Sequence, residues 1–399
     1  MLVENNPLSM TNVPFGCRST SLSGMLPCFR YTSCNLHLPP RFKAILQASA
    51  MFVLLSVGIM LVSCRQDVSL QESFPTETMC DGGVDAVDAG DLVSVEGMSC
   101  NDSVLVVLDF HGGYSYSLFD LHTGRHVRRL GRVGNGNGEI PLGCNGSVHD
   151  GCMYAFHDMT GRVVRYPLGT FGEGGICEEV CKYGIEEGLL AMLLPCGDHT
   201  FLGMGTYKDR YHYVLFDDSS KVLDYGVEVY NAGQESFDRY CRFLSNQGCM
   251  VRHPSMPWFA SAIYCSGNVD FLRVCDGGID VVESYRYGNP DYVAEVVGGM
   301  SQVVPMADTR NGVLDLCANS SHVFALYSDK RILDEPYCSD RILVFDWSGS
   351  RRTVLRFPHP IYHISATDSH LYLHVKDSEG NDRLERCGIP DACRDYPES

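Results

Sequence analysis

Short runs of apolar residues separated by turn-forming residues recur along the chain from about residue 91 onwards. The first run, 104–110, is almost entirely apolar, which is typical of a β-strand buried on both faces. After the turn 111–113, residues 114–119 alternate between polar and apolar side chains, which predicts a strand with one buried face. The turn 122–124 then leads into a third predicted strand, 126–130.

The same succession of strands and turns returns five more times. The predicted strands of these copies are, in order, 152–158 and 163–168; 200–205, 211–217 and 222–226; 260–265, 269–275 and 279–285; 313–318, 322–328, 341–346 and 353–357; and 362–367, 371–375 and 383–387. Corresponding strands begin about 45 to 65 residues apart, which is the length of a four-stranded propeller blade with loop insertions.

Units of this length cannot bury both faces of their sheets alone, so they must stack, and a closed ring leaves no exposed sheet edge. We therefore predict an all-β protein, a single six-bladed β-propeller of four-stranded antiparallel blades over residues 91–395. Two packed sheets in a β-sandwich would show the same alternation and remain an alternative. One short helix is expected within 234–246, in the insertion between the third and fourth copies.

A run of twenty residues without a charge, 44–63, precedes the repeats and follows Arg41 and Lys43. A basic flank, an apolar run and a small residue before the cut site are the parts of a secretory signal. The run ends in the sequence LVSC, which resembles the lipobox of bacterial lipoprotein signals, so Cys64 is the expected lipidation site. An uncleaved transmembrane anchor is the alternative, because twenty apolar residues can span a bilayer.

These features predict three segments. Residues 1–63 form a leader and lipoprotein signal peptide that is discarded on processing. Residues 64–90 are polar, acidic and glycine-containing, which favours a flexible tether between lipid and domain. The propeller then occupies 91–395.

The charge of the chain argues against one class of partner, nucleic acids. The formal net charge is -18, and because residues 1–63 carry a small positive excess, the remainder is more acidic still. Nucleic-acid binding needs a basic surface that contacts phosphates, and no basic stripe is present in the sequence. We expect no nucleic-acid partner.

Nineteen cysteines are present, but their spacing does not form a recognisable metal or disulfide framework. The closest pair in the mature chain is Cys177 and Cys181, whose CxxxC spacing is weak evidence for zinc. Buried free thiols, with a few disulfides among them, are the simpler interpretation. We expect no cofactor and no metal.

A glycine-rich segment, 131–139, follows the first copy. It lacks the Lys-Ser/Thr pair of a phosphate-binding loop, so the segment reads best as a turn in which Glu139 bonds to nearby backbone donors. Contact with a ligand is the alternative, and the candidate ligand-binding residues are then Arg132, Asn135, Asn137 and Glu139.

Histidines are spread over all the copies, and no HExxH or GxSxG motif is present. His359 and His363 have the spacing of two ligands on one helix face, but Pro358 and Pro360 exclude a helix there. A propeller could still gather side chains from different blades at its central channel. No catalytic residue is predicted from the sequence.

The lipobox, the repeats, the segment 131–139 and the later segment 254–260 together resemble the TolB-like six-bladed propeller lipoproteins of Bacteroidetes. In that family a run like G-x-x-G-x-G-P-G-E follows the first blade, and this chain has Asn137 where the family usually has Pro. The resemblance covers roughly residues 95–390. It implies the propeller fold and an envelope location, and it implies no particular reaction.

The expected function is therefore that of a lipid-anchored binding or protein-interaction module of the cell envelope. Its expected location is the outer membrane, on either the periplasmic or the surface side. Its expected partners are the membrane, through the N-terminal lipid, and another envelope protein or a glycan. The alternatives are a propeller hydrolase or lyase with a polar site at the central channel, and a purely structural envelope protein. An enzyme would gather titratable side chains in the channel, whereas a scaffold would fill the channel with apolar or small residues.

Overall fold

A computed structural model describes residues 69–88, 92–136, 139–169, 177–184, 186–197, 199–230, 237–288, 292–334 and 337–393. Almost all regular structure in these ranges is antiparallel β-sheet. Four sheets have four strands each, and their strands are consecutive in sequence. They comprise β3 (Gly97–Cys100), β4 (Val104–His111), β5 (Tyr114–Asp120) and β6 (His126–Arg132); β7 (Asn145–His149), β8 (Cys152–His157), β9 (Arg162–Pro167) and β10 (Glu178–Lys182); β11 (Gly188–Gly197), β12 (Thr200–Tyr207), β13 (Tyr211–Asp217) and β14 (Val222–Glu228); and β15 (Gly248–Arg252), β16 (Trp258–Ile263), β17 (Val269–Cys275) and β18 (Gly278–Tyr285).

The next sheet has eight strands and includes two short strands from the N-terminal side of the domain. Its members are β1 (Glu77–Met79), β2 (Val84–Asp85), β21 (Arg310–Ala318), β22 (His322–Arg331), β23 (Ser339–Asp346), β24 (Arg351–Ala366), β25 (His370–Lys376) and β26 (Asp382–Gly388). Strand β24 pairs with a different neighbour along each half of its length. Its first half pairs with β23, from Arg351 to Arg356, and its second half pairs chiefly with β25, from Ile361 to Ala366.

A repeated turn ends the third strand in three of these units. Asp120, Asp217 and Asp346 each follow a fully buried phenylalanine and accept hydrogen bonds from backbone N–H groups of the next turn. An aspartate that caps its own turn in this way fixes the chain reversal without help from distant residues. The repeat of Phe-Asp is thus a local signal for the end of the third strand.

The first strands of the sheets lie side by side around one central channel, and hydrogen bonds link neighbours. Val148 N donates to Ser99 Oγ at 2.9 Å, and Asn145 Nδ2 donates to Ala191 O at 2.8 Å. In the eight-stranded sheet, Ile364 N donates to Asp315 Oδ2 at 3.0 Å. The fold is therefore an all-β propeller of antiparallel sheets.

The ring closes between the second half of β24 and β3. Ser365 Oγ lies 3.1 Å from the sulfur of Cys100, and that thiol donates in turn to Ala366 O at 3.2 Å. Apolar clusters fill the spaces between successive sheets. One of them joins β15–β18 to the eight-stranded sheet through residues such as Phe271, Val323 and Phe345.

The N-terminal segment 69–88 corrects the prediction of a flexible tether over that stretch. Leu70 is completely buried between β15–β18 and the eight-stranded sheet. Strand β1 pairs in parallel with β24, and β2 pairs with β26 through Val84 and Asp85. The prediction was wrong here because an acidic, glycine-containing composition does not reveal two- and three-residue strands whose partners lie some 300 residues later.

Two further elements interrupt the sheets. The helix α1 (Arg239–Ser245) lies within the predicted segment 234–246, and Asp238 caps its N-terminus by accepting from Cys241 N at 2.8 Å. A two-stranded hairpin, β19 (Tyr292–Val297) and β20 (Met300–Pro305), separates β18 from β21. Within the described ranges, no helix is long and apolar enough to cross a membrane. The predicted signal segment 44–63 lies outside those ranges.

Candidate binding channel

The central channel is a cavity of about 510 Å³. Its wall is formed by six strands: β3, β7, β11, β15, β21 and the second half of β24. Paired contacts show that β21 and β24 run in the same direction, because Asp315 bonds to Ile364 and Asn319 bonds to Thr367 further along both strands. We call the end of the channel at which the six strands begin the entry end, and the end at which they finish the exit end.

The middle of the channel is lined by small and apolar side chains whose polar atoms are already bonded. Met250 N donates to the sulfur of Met192 at 3.2 Å, and Cys100, nearer the exit end, donates to Ala366 O at the end of β24. Burial raises the pKa of the Cys100 thiol to about 12, so it is a neutral, unreactive thiol at pH 7. The middle of the channel therefore offers a ligand few unbonded polar groups.

The exit end has a buried cation. Arg252, the last residue of β15, is only 5% exposed in its side chain, and its Nη1 donates to Asp150 Oδ2 at 2.9 Å. Asp150 lies in the turn after β7 with φ of 50°, and its side chain is 54% exposed. The guanidinium is therefore buried, while the carboxylate that compensates its charge remains in contact with solvent.

His149 stands next to this pair. Burial lowers its pKa to about 3, and the nearby charge of Arg252 adds to the effect. The ring is therefore neutral at pH 7. Its buried Nε2 has no hydrogen-bond partner among the described residues. A neutral imidazole with an unused nitrogen beside a guanidinium can donate to, or accept from, a polar ligand group.

Other polar side chains at the exit end are engaged in turns. Asn319 Nδ2 donates to Thr367 O at 3.2 Å, and its Oδ1 accepts from Ser321 N and His322 N. Asp368 accepts from Ser320 N at 2.8 Å. These bonds fix the rim of the channel, so the groups that a ligand would meet are already held in place.

The entry end contains an Asp-His pair. Asp315 accepts backbone hydrogen bonds from Leu316 and Ile364, and its Oδ2 lies 3.5 Å from His363 Nδ1. The ring of His363 stacks on that of His374 at a centroid distance of 5.6 Å and an angle of 3°. Asp315 therefore joins two inner strands and orients a histidine at the same time.

The channel combines features expected of an enzyme with features expected of a scaffold. Titratable groups converge at both ends, and the pKa of His149 is lowered to about 3, as an enzyme would require of a group in its site. The middle is closed by apolar and small residues, as in a scaffold. Among the described residues, no group of three or more His, Cys, Asp or Glu side chains is placed to hold a metal ion.

The predicted ligand-binding residues lie elsewhere. Arg132 Nε and Glu139 Oε1 are 3.5 Å apart, and Glu139 Oε2 accepts from Gly136 N at 2.8 Å. Asn135 is exposed in the same loop. The structure thus brings Arg132 and Glu139 together, but none of the three lines the channel. Asn137 and Cys64 lie outside the described residues.

The remaining histidines and cysteines have mainly structural surroundings. His359 and His363 both lie on β24, in extended backbone, as Pro358 and Pro360 required. His253 accepts two backbone N–H bonds at its Nδ1, from Ser255 and Met256, at 3.1 Å each. Every cysteine of the described ranges is a free thiol, and many of them, Cys181 included, are buried.

The sheets and the channel define the class of protein: an all-β propeller with a polar-ended central channel. No protein-family model and no curated protein matches the chain. Its fold is similar to that of a solved structure described as a "putative exported protein" of Bacteroides fragilis, with 12% identity, a TM-score of 0.46 and coverage of 79% of this chain and 100% of that one.

Two further solved structures are similar at the same level. A member of the DUF4221 family from Bacteroides vulgatus has 8% identity and a TM-score of 0.45, covering 76% of this chain and 96% of that one. The WD40 β-propeller domain of Doa1 has 11% identity and a TM-score of 0.40, covering 75% and 80%. Because these scores are low, the fold rests on the sheet order and the ring of inner strands, and the function on the site.

Proposed function

We propose that this chain is a lipid-anchored, six-bladed propeller of the bacterial cell envelope that binds a small polar ligand, a glycan fragment, at the exit end of its channel. The observation that carries the proposal is the buried guanidinium of Arg252, held at the channel mouth beside a neutral His149 with an unused nitrogen. A cavity of about 510 Å³ has the size of small-molecule sites.

The count of six blades is supported by the six strands that line the channel. In this proposal the two halves of β24 belong to successive blades, and β2 supplies the outer strand of the last one. Membership of the TolB-like propeller lipoproteins is part of the same proposal. It is supported by the lipobox at Cys64 and by the glycine-rich segment after the first sheet.

A glycan is favoured over a charged ligand for electrostatic reasons. Asp102, Asp150 and Asp368 line the exit end and are exposed, so an anion would meet repulsion on its approach. Arg252 is already neutralised by Asp150, which leaves no net positive charge for an acidic group. Hydroxyl groups can use the remaining donor and acceptor positions without bringing a charge into the channel.

Binding of envelope oligosaccharides to the purified, full-length processed protein tests this proposal. Calorimetric titration of the wild type should give saturable binding, and Arg252→Gln should weaken it by at least tenfold. Arg273→Gln, an exposed arginine on the same sheet, is the matched control and should leave affinity unchanged. Equal affinity in all three proteins would place the ligand elsewhere, and conversion of the oligosaccharide during the titration would favour the hydrolase or lyase alternative.

The anchor has its own test. Mass spectrometry of the mature protein should find an N-terminal peptide that begins at Cys64 and carries acyl chains. An intact leader without acyl groups would contradict the anchor.

A further inference from the structure

We propose that the entry end of the channel binds the primary ammonium group of a small amine with an apolar body. Asp315 and His363 form this site, and it is separate from the exit end with Arg252 and His149. Neither the lipid anchor nor glycan binding at the exit end is needed for it. Three features carry it: a carboxylate without a basic partner, an oriented histidine, and the charge of the channel wall.

Asp315 carries a charge that no lysine or arginine balances. Its side chain is 20% exposed, and His363 is the only basic group of the described residues within 4 Å of its carboxylate. Another enclosed carboxylate of this chain, that of Asp109, is paired with Arg129 at 3.4 Å. A carboxylate in a channel wall that lacks such a partner attracts a cation from solution, because a charge-assisted hydrogen bond then offsets its partial loss of water.

The ring of His363 is held so that one of its nitrogens faces Asp315. Nδ1 lies 3.5 Å from Asp315 Oδ2, and that oxygen is itself fixed by the backbone N–H of Ile364 at 3.0 Å. One face of the ring stacks on His374, whose Nε2 bonds to Asp382 Oδ1 at 2.9 Å. His363 is therefore positioned both at its edge and at its face.

The other ring nitrogen of His363, Nε2, is available to a ligand. It has no hydrogen-bond partner among the described residues, and the side chain, which lines the channel, is 25% exposed. An imidazole whose Nδ1 donates to a carboxylate keeps the lone pair on Nε2 and is a stronger acceptor for it. An ammonium N–H can therefore donate to Nε2 of His363, while the charge of Asp315 on the far side of the ring stabilises the cation.

Carboxylates outnumber basic side chains along the whole channel. Among the described residues that line it, Arg252 is the single arginine or lysine. The carboxylates are those of Glu96, Asp102, Asp150, Asp158, Asp315 and Asp368. A cleft lined by charges of one sign concentrates ions of the opposite sign. The channel therefore attracts cations, and Arg252, which would repel them, lies at the exit end, away from His363.

Apolar side chains of the same channel define the rest of the ligand. Leu314, Met98 and Met192 line it together with the Asp315–His363 pair. Methionine side chains adapt their shape to apolar groups, and a cavity of about 510 Å³ has room for the body of a small organic molecule. The described residues contain no group of side chains placed to hold a metal ion. The expected cation is therefore an organic amine.

Phenethylamine and 2-phenylethanol test this site, because they have nearly the same size and differ in the ammonium group, which is charged at pH 7 as in lysine. Calorimetric titration of the full-length protein at low salt should show that the amine binds at least tenfold more tightly than the alcohol. Asp315→Asn removes the charge and His363→Leu removes the acceptor, and each should reduce the affinity for the amine about tenfold. Asp280→Asn, an exposed carboxylate on β18, is the matched control and should leave both affinities unchanged.

The wild type alone provides a second measurement if either variant folds poorly. Raising the salt concentration should weaken binding of phenethylamine and leave that of 2-phenylethanol unchanged, because salt screens the attraction between the ammonium group and the channel. Equal affinities for the two compounds in the wild type, or binding of neither, would overturn the proposal. A preference for the amine that persists in folded Asp315→Asn and His363→Leu would overturn it too, because the cation would then lie at other carboxylates.

Discussion

The sheet β11–β14 and the eight-stranded sheet are built from the same kind of strands in different ways. In β11–β14 each strand pairs with its neighbour in sequence, so the whole sheet forms from local hairpins. In the eight-stranded sheet, β26 pairs with β2, which lies about 300 residues earlier. Local sheets can form early, whereas the last sheet is complete only when the chain ends meet. The closure is therefore the part of the ring most sensitive to changes at the N-terminal segment.

The largest expected effect concerns Leu70, because its substitution tests whether the N-terminal segment is a structural part of the domain or a tether. Leu70→Ala should lower the free energy of unfolding by about 3 kcal/mol, because it leaves a cavity between two sheets. Met79→Ala, in β1 of the same segment, removes a side chain that is 68% exposed and should change it by less than about 0.5 kcal/mol. Urea unfolding measures both. Equal small effects would show that the segment is a tether after all.

A second prediction concerns the contact between β15–β18 and the eight-stranded sheet. Gly312 has φ of 70°, and a Cβ there would lie 2.0 Å from Ser266 O. Gly312→Ala should therefore cost about 2 kcal/mol or more. Gly277 has a similar φ of 76° with no atom near its Cβ position, so Gly277→Ala should cost only about 1 kcal/mol. Thermal unfolding should rank the two variants in this order, and the reverse order would contradict the close approach.

A third prediction concerns Asp315, which joins two inner strands of the eight-stranded sheet. Asp315→Asn keeps one acceptor oxygen and loses the other, so one backbone N–H bond is lost, at a cost of about 1–2 kcal/mol. Asp280→Asn, on the outer strand β18, changes a carboxylate that is 54% exposed and is the control. Denaturant titration should distinguish them. A loss in Asp280→Asn as large as in Asp315→Asn would argue against a linking role.

The smallest effect concerns the pH dependence of stability, and it compares His149, on β7 of a locally paired sheet, with His374, on β25 of the eight-stranded sheet. Burial lowers the pKa of His149 to about 3 and that of His374 to about 4 in the folded protein, from 6.5. Between pH 6.5 and about 4 the unfolded chain binds protons that the folded chain does not, so stability falls as pH falls. Each histidine can contribute a slope of at most about 1.4 kcal/mol per pH unit.

His149→Asn and His374→Asn should each flatten the decline in stability between pH 6.5 and 4.5 relative to the wild type. His199→Asn, whose side chain is 80% exposed, is the control variant. Urea unfolding at several pH values provides the slopes. Variants whose slopes match that of the wild type would show that these histidines titrate normally in the folded protein.

The pattern of apolar residues predicted most strands of the sheets but missed several that line the channel. Strands such as β4 and β13 are long and largely buried, and their apolar side chains were easy to recognise. Strands β3, β7 and β15 have only four or five residues, with glycine and other small residues among them, so they show too little alternation to be recognised. Strand β11 is largely apolar over 189–194 and was missed as well.

The candidate site was hidden for the same reason. Arg252 and Asp150 are about 100 residues apart in sequence, and each ends a strand or turn that the pattern did not mark. In the glycine-rich segment, Glu139 accepts a hydrogen bond from Gly136 N, a local contact between residues three apart in sequence. Repeated Phe-Asp pairs at the ends of third strands were present in the sequence and would have sharpened the boundaries of the repeats.

Native-state hydrogen exchange tests ring closure by the N-terminal segment most directly. The amide of Ala86 donates to Leu384 O at 2.7 Å, immediately after β2. If β2 completes the ring, the Ala86 amide should exchange within about tenfold of the rate at Leu373 in β25, since both are then released only by opening of the last sheet. Exchange of Ala86 at the rate of an unstructured peptide, with Leu373 still protected, would contradict closure of the ring by residues 84–85.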